Sequence, residues 1–270
     1  MILQKRKEKK IKLLEHISYS SLKVWNECPH KHKLVYVEKI KKFTGNIFTA
    51  FGKALHESCE LLLKEASDVD AKFDSIFDNE ISLLDEDVRE EISESTIQEF
   101  KKQGKEIIPF VVDSLGEYFG DFELLKTEEE LFEIIDIYDD YERKFKGFID
   151  LVIKTSDGKI HILDWKTCSW GWDFNKKADP ITSYQLTLYK HFYAKKHGID
   201  PSDIETYFAL LKRTSQKDRV EIFRVTSGKV KTNNALSLLD KALYNIDNGN
   251  YVKNKLSCSK CEFYRTAHCP

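Results

Sequence analysis

Two short stretches, Gly147-Phe148-Ile149-Asp150 and Ile162-Leu163-Asp164-Trp165-Lys166-Thr167, decide the interpretation of this chain. They belong to runs rich in Ile, Phe and Val, residues 144–154 and 159–167, a composition typical of β-strands. The Asp157-Gly158 pair between the runs indicates a tight turn. The sequence therefore predicts a β-hairpin.

The polar residues of this hairpin are candidates for catalysis. Residues two apart on a strand share a face, so Asp164 and Lys166 point to one side while Trp165 points to the other. A hairpin partner can bring Asp150 beside Asp164. A divalent cation would remove the repulsion between two such carboxylates and polarise a phosphate oxygen. Lys166 would then stabilise charge developing on the phosphorane oxygens or orient the attacking water. An Asp-x-Lys pair on a solvated surface hairpin is the competing interpretation.

The length of the hairpin loop decides whether the two carboxylates meet. A two-residue turn would oppose Asp150 to Trp165 and send the carboxylates to opposite faces. A three-residue loop over 156–158, with Gly158 left-handed and bulged, opposes Asp150 to Asp164 instead. We therefore predict the longer loop.

Composition limits the classes of function. The 270 residues include 43 basic and 45 acidic side chains, so a protein that wraps nucleic acid by bulk charge is excluded. Acidic residues concentrate in 68–99 and basic residues in 5–12 and 31–42, so any DNA contact must come from a local groove. No apolar run approaches the ~20 residues that cross a bilayer. We expect a cytoplasmic protein, or one in the host cytoplasm if phage-encoded, with no membrane partner.

Hydrophobic periodicity divides the chain into four segments within a single α/β domain, residues 1–270. The period is helical at first, with a helix over about 50–66, and becomes two from residue 123 onward. Gly104 and Pro109 are expected to punctuate the acidic helices. The segments are N-terminal helices in 1–66, an acidic helical insertion in 67–122, the α/β core in 123–228, and a C-terminal helix with a cysteine-rich tail in 229–270.

Three further polar residues are candidates for the same site. His56, in Gly52-Lys53-Ala54-Leu55-His56, lies on the apolar stripe of its predicted helix, and imidazole is a capable third metal ligand. Gln185 and Tyr189 lie four apart in a predicted helix over 181–197, so they share one face. Each of these residues alone is more typical of an ordinary core or surface position.

A second candidate ligand group consists of four cysteines: Cys28, Cys258, Cys261 and Cys269. Thiolates in such sets hold structural zinc or an iron–sulfur cluster, and spacing alone does not choose between them. The two remaining cysteines, Cys59 and Cys168, are expected to be ordinary small buried residues.

The order of these motifs resembles the RecB-like branch of the PD-(D/E)XK nucleases, which includes AddB-type recombination nucleases and CRISPR-adaptation exonucleases. That pattern runs through S-x-L, C-P, G-x-x-x-H, G-x-x-D, D-x-K-T and Q-x-x-x-Y, and ends in a cysteine group. The matching residues are Ser20-Ser21-Leu22, Cys28-Pro29, Gly52 with His56, Gly147 with Asp150, Asp164 with Lys166 and Thr167, and Gln185 with Tyr189. The resemblance spans residues 18–269 and leaves the acidic insertion unexplained.

The resemblance implies a mixed central sheet flanked by helices, with a helical insertion. It implies a Mg²⁺ or Mn²⁺ site with the following ligands: His56, Asp150, Asp164 and the carbonyl of Trp165. Lys166 would be the catalytic lysine, and Gln185 and Tyr189 would orient it or the DNA. Relatives often carry an acidic residue on the preceding strand, a place for which Glu128, Glu129 and Glu130 compete without assignment.

The resemblance also favours a 4Fe–4S cluster over zinc on the four cysteines, joining the N- and C-terminal segments. The seven residues before Cys269 exceed the usual five of the family, so His268 is an alternative to a cysteine ligand.

The expected function is that of a metal-dependent deoxyribonuclease, an exonuclease on single-stranded DNA or DNA ends. Recombination, repair, CRISPR-like adaptation and phage DNA processing are the expected contexts, with a helicase or a recombination or CRISPR protein as partner. A catalytically silent DNA-binding or complex-forming subunit and an RNA nuclease are the alternatives. Trp170 and Trp172, just beyond the hairpin, are candidates for stacking on bases, with plain packing as the competing interpretation.

Overall fold

The computed structural model describes residues 15–40, 45–135 and 142–270. The basic stretch 5–12 lies outside the described residues. The chain folds into two compact units, each discontinuous in sequence. The first unit comprises residues 1–42, 131–147 and 229–270, and the second comprises 43–130 and 148–228.

The second unit begins with helices that the sequence caps locally. The Asn46 side chain accepts a hydrogen bond from the Thr49 amide at 3.0 Å, and the Thr49 hydroxyl accepts one from the Asn46 amide at 2.8 Å. This capping box starts the first long helix three residues before the expected position. The helices are α3 (Ile47–Leu63), α4 (Val69–Ser82), α5 (Glu86–Glu90), α6 (Glu94–Ile107), α7 (Phe110–Phe119), α8 (Phe174–Ala178) and α9 (Pro180–His197), with a 3₁₀ turn at Pro201–Asp203.

A mixed sheet forms the centre of the second unit. Its strands are β2 (Phe122–Ile134), β3 (Lys144–Thr155), β4 (Ile160–Cys168), β5 (Ile204–Lys212) and β6 (Val220–Arg224). β4 is antiparallel to β3 and parallel to β5, β5 is antiparallel to β6, and β2 pairs with β3. The expected α/β fold, with a mixed central sheet flanked by helices, is therefore confirmed.

The two faces of this sheet pack against different helices. Leu151 and Ile153 of β3 and Leu163 and Trp165 of β4 share one apolar core with α3, α4, α6 and α7. On the opposite face, α9 packs against β4 and β5. The segment expected as an acidic insertion thus supplies helices that cover one face of the sheet, with its carboxylates turned largely to solvent.

The first unit is built from the two ends of the chain. β1 (His16–Ser18) pairs in parallel with the first residues of β3, placing Ile17 opposite Phe145. The Ser18 side chain caps α1 (Tyr19–Glu27) by accepting a hydrogen bond from the Ser21 amide. α2 (Pro29–His32) and a π-helical turn (Lys33–Val37) follow, and α1 packs against α10 (Lys229–Asp247). Across the described residues, none of the helices is long and apolar enough to cross a membrane.

Gly104 lies inside α6, which corrects the expectation that it punctuates the helices. A Cβ built on Gly104 would lie 2.1 Å from the ring of Phe73 on α4, so the missing side chain makes room for that ring. Pro109, by contrast, is the N-cap of α7, as expected.

We expect Gly104→Ala to destabilise the protein by about 1–3 kcal/mol, because the Phe73 ring must move out of a filled core. Gly116→Ala is the matched control, since a Cβ at this α7 position has no neighbour within 4 Å. A helix-interior Gly→Ala change in open space should instead stabilise by about 0.5–1 kcal/mol. Urea unfolding of the two variants measures the difference, and equal free energies of unfolding would contradict the packing role of Gly104.

Candidate active site

The hairpin register places the two carboxylates of the candidate site on one face. The loop spans residues 156–158, with the Thr155 amide donating to the Lys159 carbonyl at 3.1 Å and Gly158 left-handed at φ +84°. Leu151 pairs with Leu163, so the next pair in this register is Asp150 with Asp164. Both therefore point away from the core of Leu151 and Leu163. The predicted three-residue loop is confirmed.

Asp164 is the centre of the polar contacts on this face. The residue is only 2% exposed. Its Oδ1 accepts a hydrogen bond from Gln185 Nε2 at 2.6 Å, and its Oδ2 lies 2.5 Å from Lys166 Nζ. Apart from this ion pair, Oδ2 is buried without a hydrogen bond of regular geometry. Gln185 Nε2 also donates to the Tyr189 hydroxyl at 3.2 Å. Gln185 of α9 thus holds the Asp164 carboxylate in place.

Asp150 connects the hairpin to α3. Its Oδ2 accepts a hydrogen bond from the Trp165 amide at 2.6 Å, and His56 Nδ1 lies 3.7 Å from the same oxygen. The Trp165 side chain is 2% exposed and packs in the apolar core on the other face. The structure therefore brings together the six predicted side chains: His56, Asp150, Asp164, Lys166, Gln185 and Tyr189.

Burial makes the charged form of both carboxyl groups costly. It raises the pKa of Asp150 to about 7, against the opposing effects of Lys166 and of the Trp165 amide. It raises the pKa of Asp164 to about 6, again against Lys166, while the neighbouring Asp150 adds to the rise. A site that holds two carboxylates at neutral pH at such a cost is suited to a cation.

The basic residues of the site have opposite protonation states at neutral pH. Burial lowers the pKa of Lys166, but Asp164 and Asp150 outweigh it, so the net pKa is raised and the ammonium stays charged. Burial and the Lys166 charge lower the pKa of His56 to about 4, so its imidazole is neutral and has a free lone pair.

An open acidic cavity of about 470 Å³ adjoins His56. Its lining residues are Lys53, His56, Glu57, Glu60, Leu61, Glu80 and Glu128. Glu57 and Glu60 were not predicted from the sequence as residues of this site. Glu60 follows His56 by one helical turn on α3, and this spacing is the signal that would have found it.

Glu128 and Glu129, two of the three neighbouring glutamates of β2, have different surroundings in the structure. Glu129 lies 2.7 Å from Lys196 Nζ and 3.0 Å from His197 Nε2, which ties it to α9. Glu128 instead has a positive φ of 49° and lines the cavity beside His56. Burial, together with Glu60 and Asp164, raises the pKa of Glu128. Glu128 is therefore the β2 carboxylate that belongs to the site.

The four candidate cysteines line a single small cavity of the first unit. Cys28 is buried at the end of α1, and Cys258, Cys261 and Cys269 come from the tail. The Asn254 amide donates to Cys28 Sγ at 3.3 Å. These residues meet as the sequence predicts.

Three other predictions about residues near these sites have separate outcomes. His268 does not line the cysteine cavity, and its ring lies edge-on to Phe263 at 6.4 Å. Cys59 is buried in the core as expected. Cys168 is only half-buried, contrary to expectation, because it is the last residue of β4.

The described residues contain no group of three or more His, Cys, Asp or Glu side chains that could hold a metal ion in the positions they occupy. The donors themselves suit their expected metals. Asp150 and Asp164 offer hard oxygen atoms, of which Asp164 Oδ2 is buried with only Lys166 beside it, and His56 is neutral. The thiols around Cys28 suit a soft metal or a cluster.

The chain is similar to known proteins in sequence family and in fold. A family model described as the PD-(D/E)XK nuclease superfamily matches residues 16–268. No curated protein sequence matches the chain. A proposed exonuclease from Eubacterium rectale aligns with a TM-score of 0.58 and 14% identity, over 93% of this chain and 87% of that chain. At that identity the alignment shows the fold alone.

A second solved structure, SSO0001, aligns with a TM-score of 0.37 and 14% identity, over 90% of this chain and 93% of that chain. This likeness is too weak to carry an argument. PD-(D/E)XK nucleases are generally metal-dependent nucleases that use Mg²⁺ or Mn²⁺. Because the family model spans nearly the whole chain and includes the hairpin of Asp150, Asp164 and Lys166, the chain belongs to the PD-(D/E)XK nuclease superfamily.

Proposed function

We propose that this protein is a divalent-metal-dependent deoxyribonuclease of the RecB-like branch, acting as an exonuclease on single-stranded DNA or DNA ends. The hairpin register that sets Asp150, Asp164 and Lys166 on one sheet face supports the proposal. Gln185 holds Asp164 from the facing helix, so the arrangement does not depend on a surface side chain. A solvated surface hairpin would not bury Asp164 to 2% exposure.

The residues that would hold a divalent cation are Asp150, Asp164 and His56, with Glu128 beside them and the Trp165 carbonyl as a further ligand. Bound there, the cation would polarise a phosphate oxygen and favour ionisation of the attacking water. Burial raises the pKa of both carboxyl groups because it makes their charged forms costly. Coordination to the cation would offset this cost.

Lys166 would act as a fixed positive charge and not as a general base. Its pKa is raised by Asp164 and Asp150, so it does not give up its proton at neutral pH. The ammonium therefore suits stabilisation of charge that develops on the non-bridging phosphate oxygens. Gln185 keeps Asp164 oriented toward the lysine, and Tyr189 holds Gln185 in turn.

The four cysteines that line one cavity support the proposal of a 4Fe–4S cluster there, with structural zinc as the alternative. Cys28 lies more than two hundred residues before the three tail cysteines, so a shared metal would tie the ends of the first unit together. The tail after α10 contains a single 3₁₀ turn, Lys255–Lys260, and its Leu256 is 94% exposed. Phe263 of this tail is buried at 4% exposure, so metal ligation would add to the apolar burial that fixes the segment.

Digestion of labelled DNA tests the proposed function. Purified protein is incubated with single-stranded DNA, duplex DNA and the matching RNA, with Mg²⁺ or Mn²⁺ and with EDTA. We expect metal-dependent degradation of DNA from the ends, with a preference for single strands. Binding without degradation would support a silent DNA-binding subunit, and degradation of RNA alone would support an RNA nuclease.

We expect added Mn²⁺ to raise the thermal midpoint at neutral and higher pH, because a ligand of the native state stabilises it. Burial raises the pKa of Asp150 and Asp164, so without metal the native state keeps their protons longer than the unfolded chain does. Their contribution to stability therefore decreases as pH rises from about 4 to about 7, and metal binding needs them deprotonated. The Mn²⁺ shift should vanish at acid pH.

The control is the double variant Asp150→Asn/Asp164→Asn, measured by thermal unfolding across the same pH range. Other carboxyl groups, such as Glu129 with its lowered pKa, contribute the opposite slope. The prediction therefore concerns the difference between wild type and variant. A Mn²⁺ shift of equal size in both proteins would place the metal elsewhere.

A further inference from the structure

The segment directly after β4 presents two exposed aromatic rings. Trp170 is 73% exposed and Phe174 is 83% exposed. A strand rises about 3.3 Å per residue, so the four residues from Lys166 put Trp170 within about 13 Å of it along the chain. The rings therefore lie next to the strand that carries the candidate catalytic lysine.

The backbone beneath Trp170 is anchored. The Arg213 amide donates to the Cys168 carbonyl at 2.8 Å, and the Thr214 amide donates to the Ser169 carbonyl at 3.1 Å. Arg213 Nη2 also donates to Ser169 Oγ at 3.1 Å. Gly171 then turns the chain with φ +125°, a conformation that side-chain-bearing residues rarely adopt. Trp170 thus projects from a fixed base.

Trp172, between the two exposed rings, is the packed member of the segment. Its ring lies 5.0 Å from that of Phe208 and 6.0 Å from that of Phe223, with Lys176 Nζ 4.4 Å above it. The competing interpretation of plain packing therefore applies to Trp172. Internal packing does not account for Trp170 and Phe174.

Most of the charged side chains in and around this segment already pair with other side chains or cap helices. Lys177 and Lys212 both contact Glu221, while Asp173 and Asp179 cap α8 and α9. The phosphates of a ligand would therefore gain little from this segment itself, and its contacts would be made to other chemical groups. Flat aromatic groups are the chemistry that the two rings suit, and unpaired nucleobases offer such faces whatever their sequence.

We propose that Trp170 and Phe174 stack on unpaired bases of a single-stranded nucleic acid and so select single strands at the adjacent site. The inference rests on the proposed function, because that function brings a nucleic acid to the hairpin. In a duplex the base faces are covered by their neighbours, so the two rings would gain nothing from paired DNA. The shared chemistry of single-stranded DNA and RNA is the exposed base.

The test measures binding by the full chain in EDTA, where no metal-dependent cleavage occurs. The probes are fluorescently labelled oligothymidylate, oligouridylate and a two-stranded duplex of the same length without unpaired bases. We expect Trp170→Ala/Phe174→Ala to weaken binding of the single strands by about tenfold or more, the loss typical of removed stacking. Duplex affinity should stay unchanged.

A salt titration separates stacking from charge. Loss of a phosphate contact reduces the slope of affinity against salt, whereas loss of a stacked ring lowers affinity and leaves the slope unchanged. Quenching of tryptophan fluorescence on oligothymidylate binding should disappear in Trp170→Phe, which keeps a stacking ring and should keep the affinity. Tyr244→Ala, which removes an exposed ring of α10, is the matched control and should bind as wild type.

The stacking proposal and the proposed function fail in different ways. Equal single-strand binding by wild type and Trp170→Ala/Phe174→Ala would overturn the stacking proposal, as would a wild type that binds no single strand. A wild type that binds single strands with these properties, but degrades no nucleic acid with Mg²⁺ or Mn²⁺, would overturn only the proposed function.

Discussion

Asp164→Asn should reduce the rate of DNA degradation by about a thousandfold or more, and Lys166→Met by about a hundredfold to a thousandfold, while the fold is retained. Removing one preorganised charge from a transition-state site costs about 10²–10³ in rate. Asp164 carries more than one role, because it would bind the cation and also pairs with Lys166 Nζ at 2.5 Å. Initial rates on end-labelled single strands, at saturating Mn²⁺, measure the loss.

The choice of substitution follows from burial. Asp164 lies at 2% exposure against Gln185, so truncation to alanine would leave the Gln185 amide without its acceptor. Asparagine keeps the shape and still accepts the hydrogen bond. The neutral side chain avoids the desolvation that raises the pKa of Asp164, and Asp150 remains as a carboxylate for the Lys166 ammonium, so the fold should be retained.

Lys154→Met is the matched control for the lysine. Lys154 lies on the same hairpin, four residues from Asp150, and is exposed with Ile160 as its partner in the register. We expect this variant to degrade DNA at nearly the wild-type rate. Wild-type rates for Asp164→Asn or Lys166→Met would show that the assigned mechanism is wrong, whichever metal is present.

The second large effect is expected at the cysteine cavity. On the proposed ligation, Cys28→Ser and Cys261→Ser should each abolish metal binding at this cavity and lower the free energy of unfolding of the first unit by about 3 kcal/mol or more. For a chain of this size, such a loss corresponds to roughly 6–12 °C in the thermal midpoint. The physical reason is that ligation closes a very long loop between the two ends of the chain.

Metal analysis of anaerobically purified protein, with a visible absorption spectrum, identifies the occupant of this cavity. A brown protein with iron and sulfide supports the cluster, and a colourless protein with one equivalent of zinc supports the structural alternative. Cys168→Ser is the control, because Cys168 ends β4 and lies outside the cavity lining. Wild-type protein with neither metal would reject the ligand role of all four cysteines.

Features that depend on neighbours along the chain were predictable from the sequence. The Asp157-Gly158 pair and the left-handed conformation open to Gly158 determine the three-residue loop, and the loop determines which residue faces Asp164. α9 likewise follows local signals, with Pro180 at its first turn and Gly198 as its left-handed C-cap.

Other features could not be predicted because their partners lie far away in the chain. Gly104 resembles a helix breaker in sequence, and only the Phe73 ring from α4 explains its place inside α6. Glu128 and Glu129 are equivalent neighbours in sequence, but the positive φ of Glu128 and the pairing of Glu129 with Lys196 separate them. Local propensity contains no information about either contact.

The sequence by itself determined the hairpin, its register, and the kinds of side chain that meet there. Only the tertiary structure decided how those groups are ionised, because burial beneath α9 raises the pKa of Asp164 and the two carboxylates keep Lys166 charged. The tertiary structure also decided that Trp172 packs while Trp170 remains exposed. Register is a property of adjacent residues and turn geometry, whereas desolvation depends on everything that packs around a group once the chain has folded.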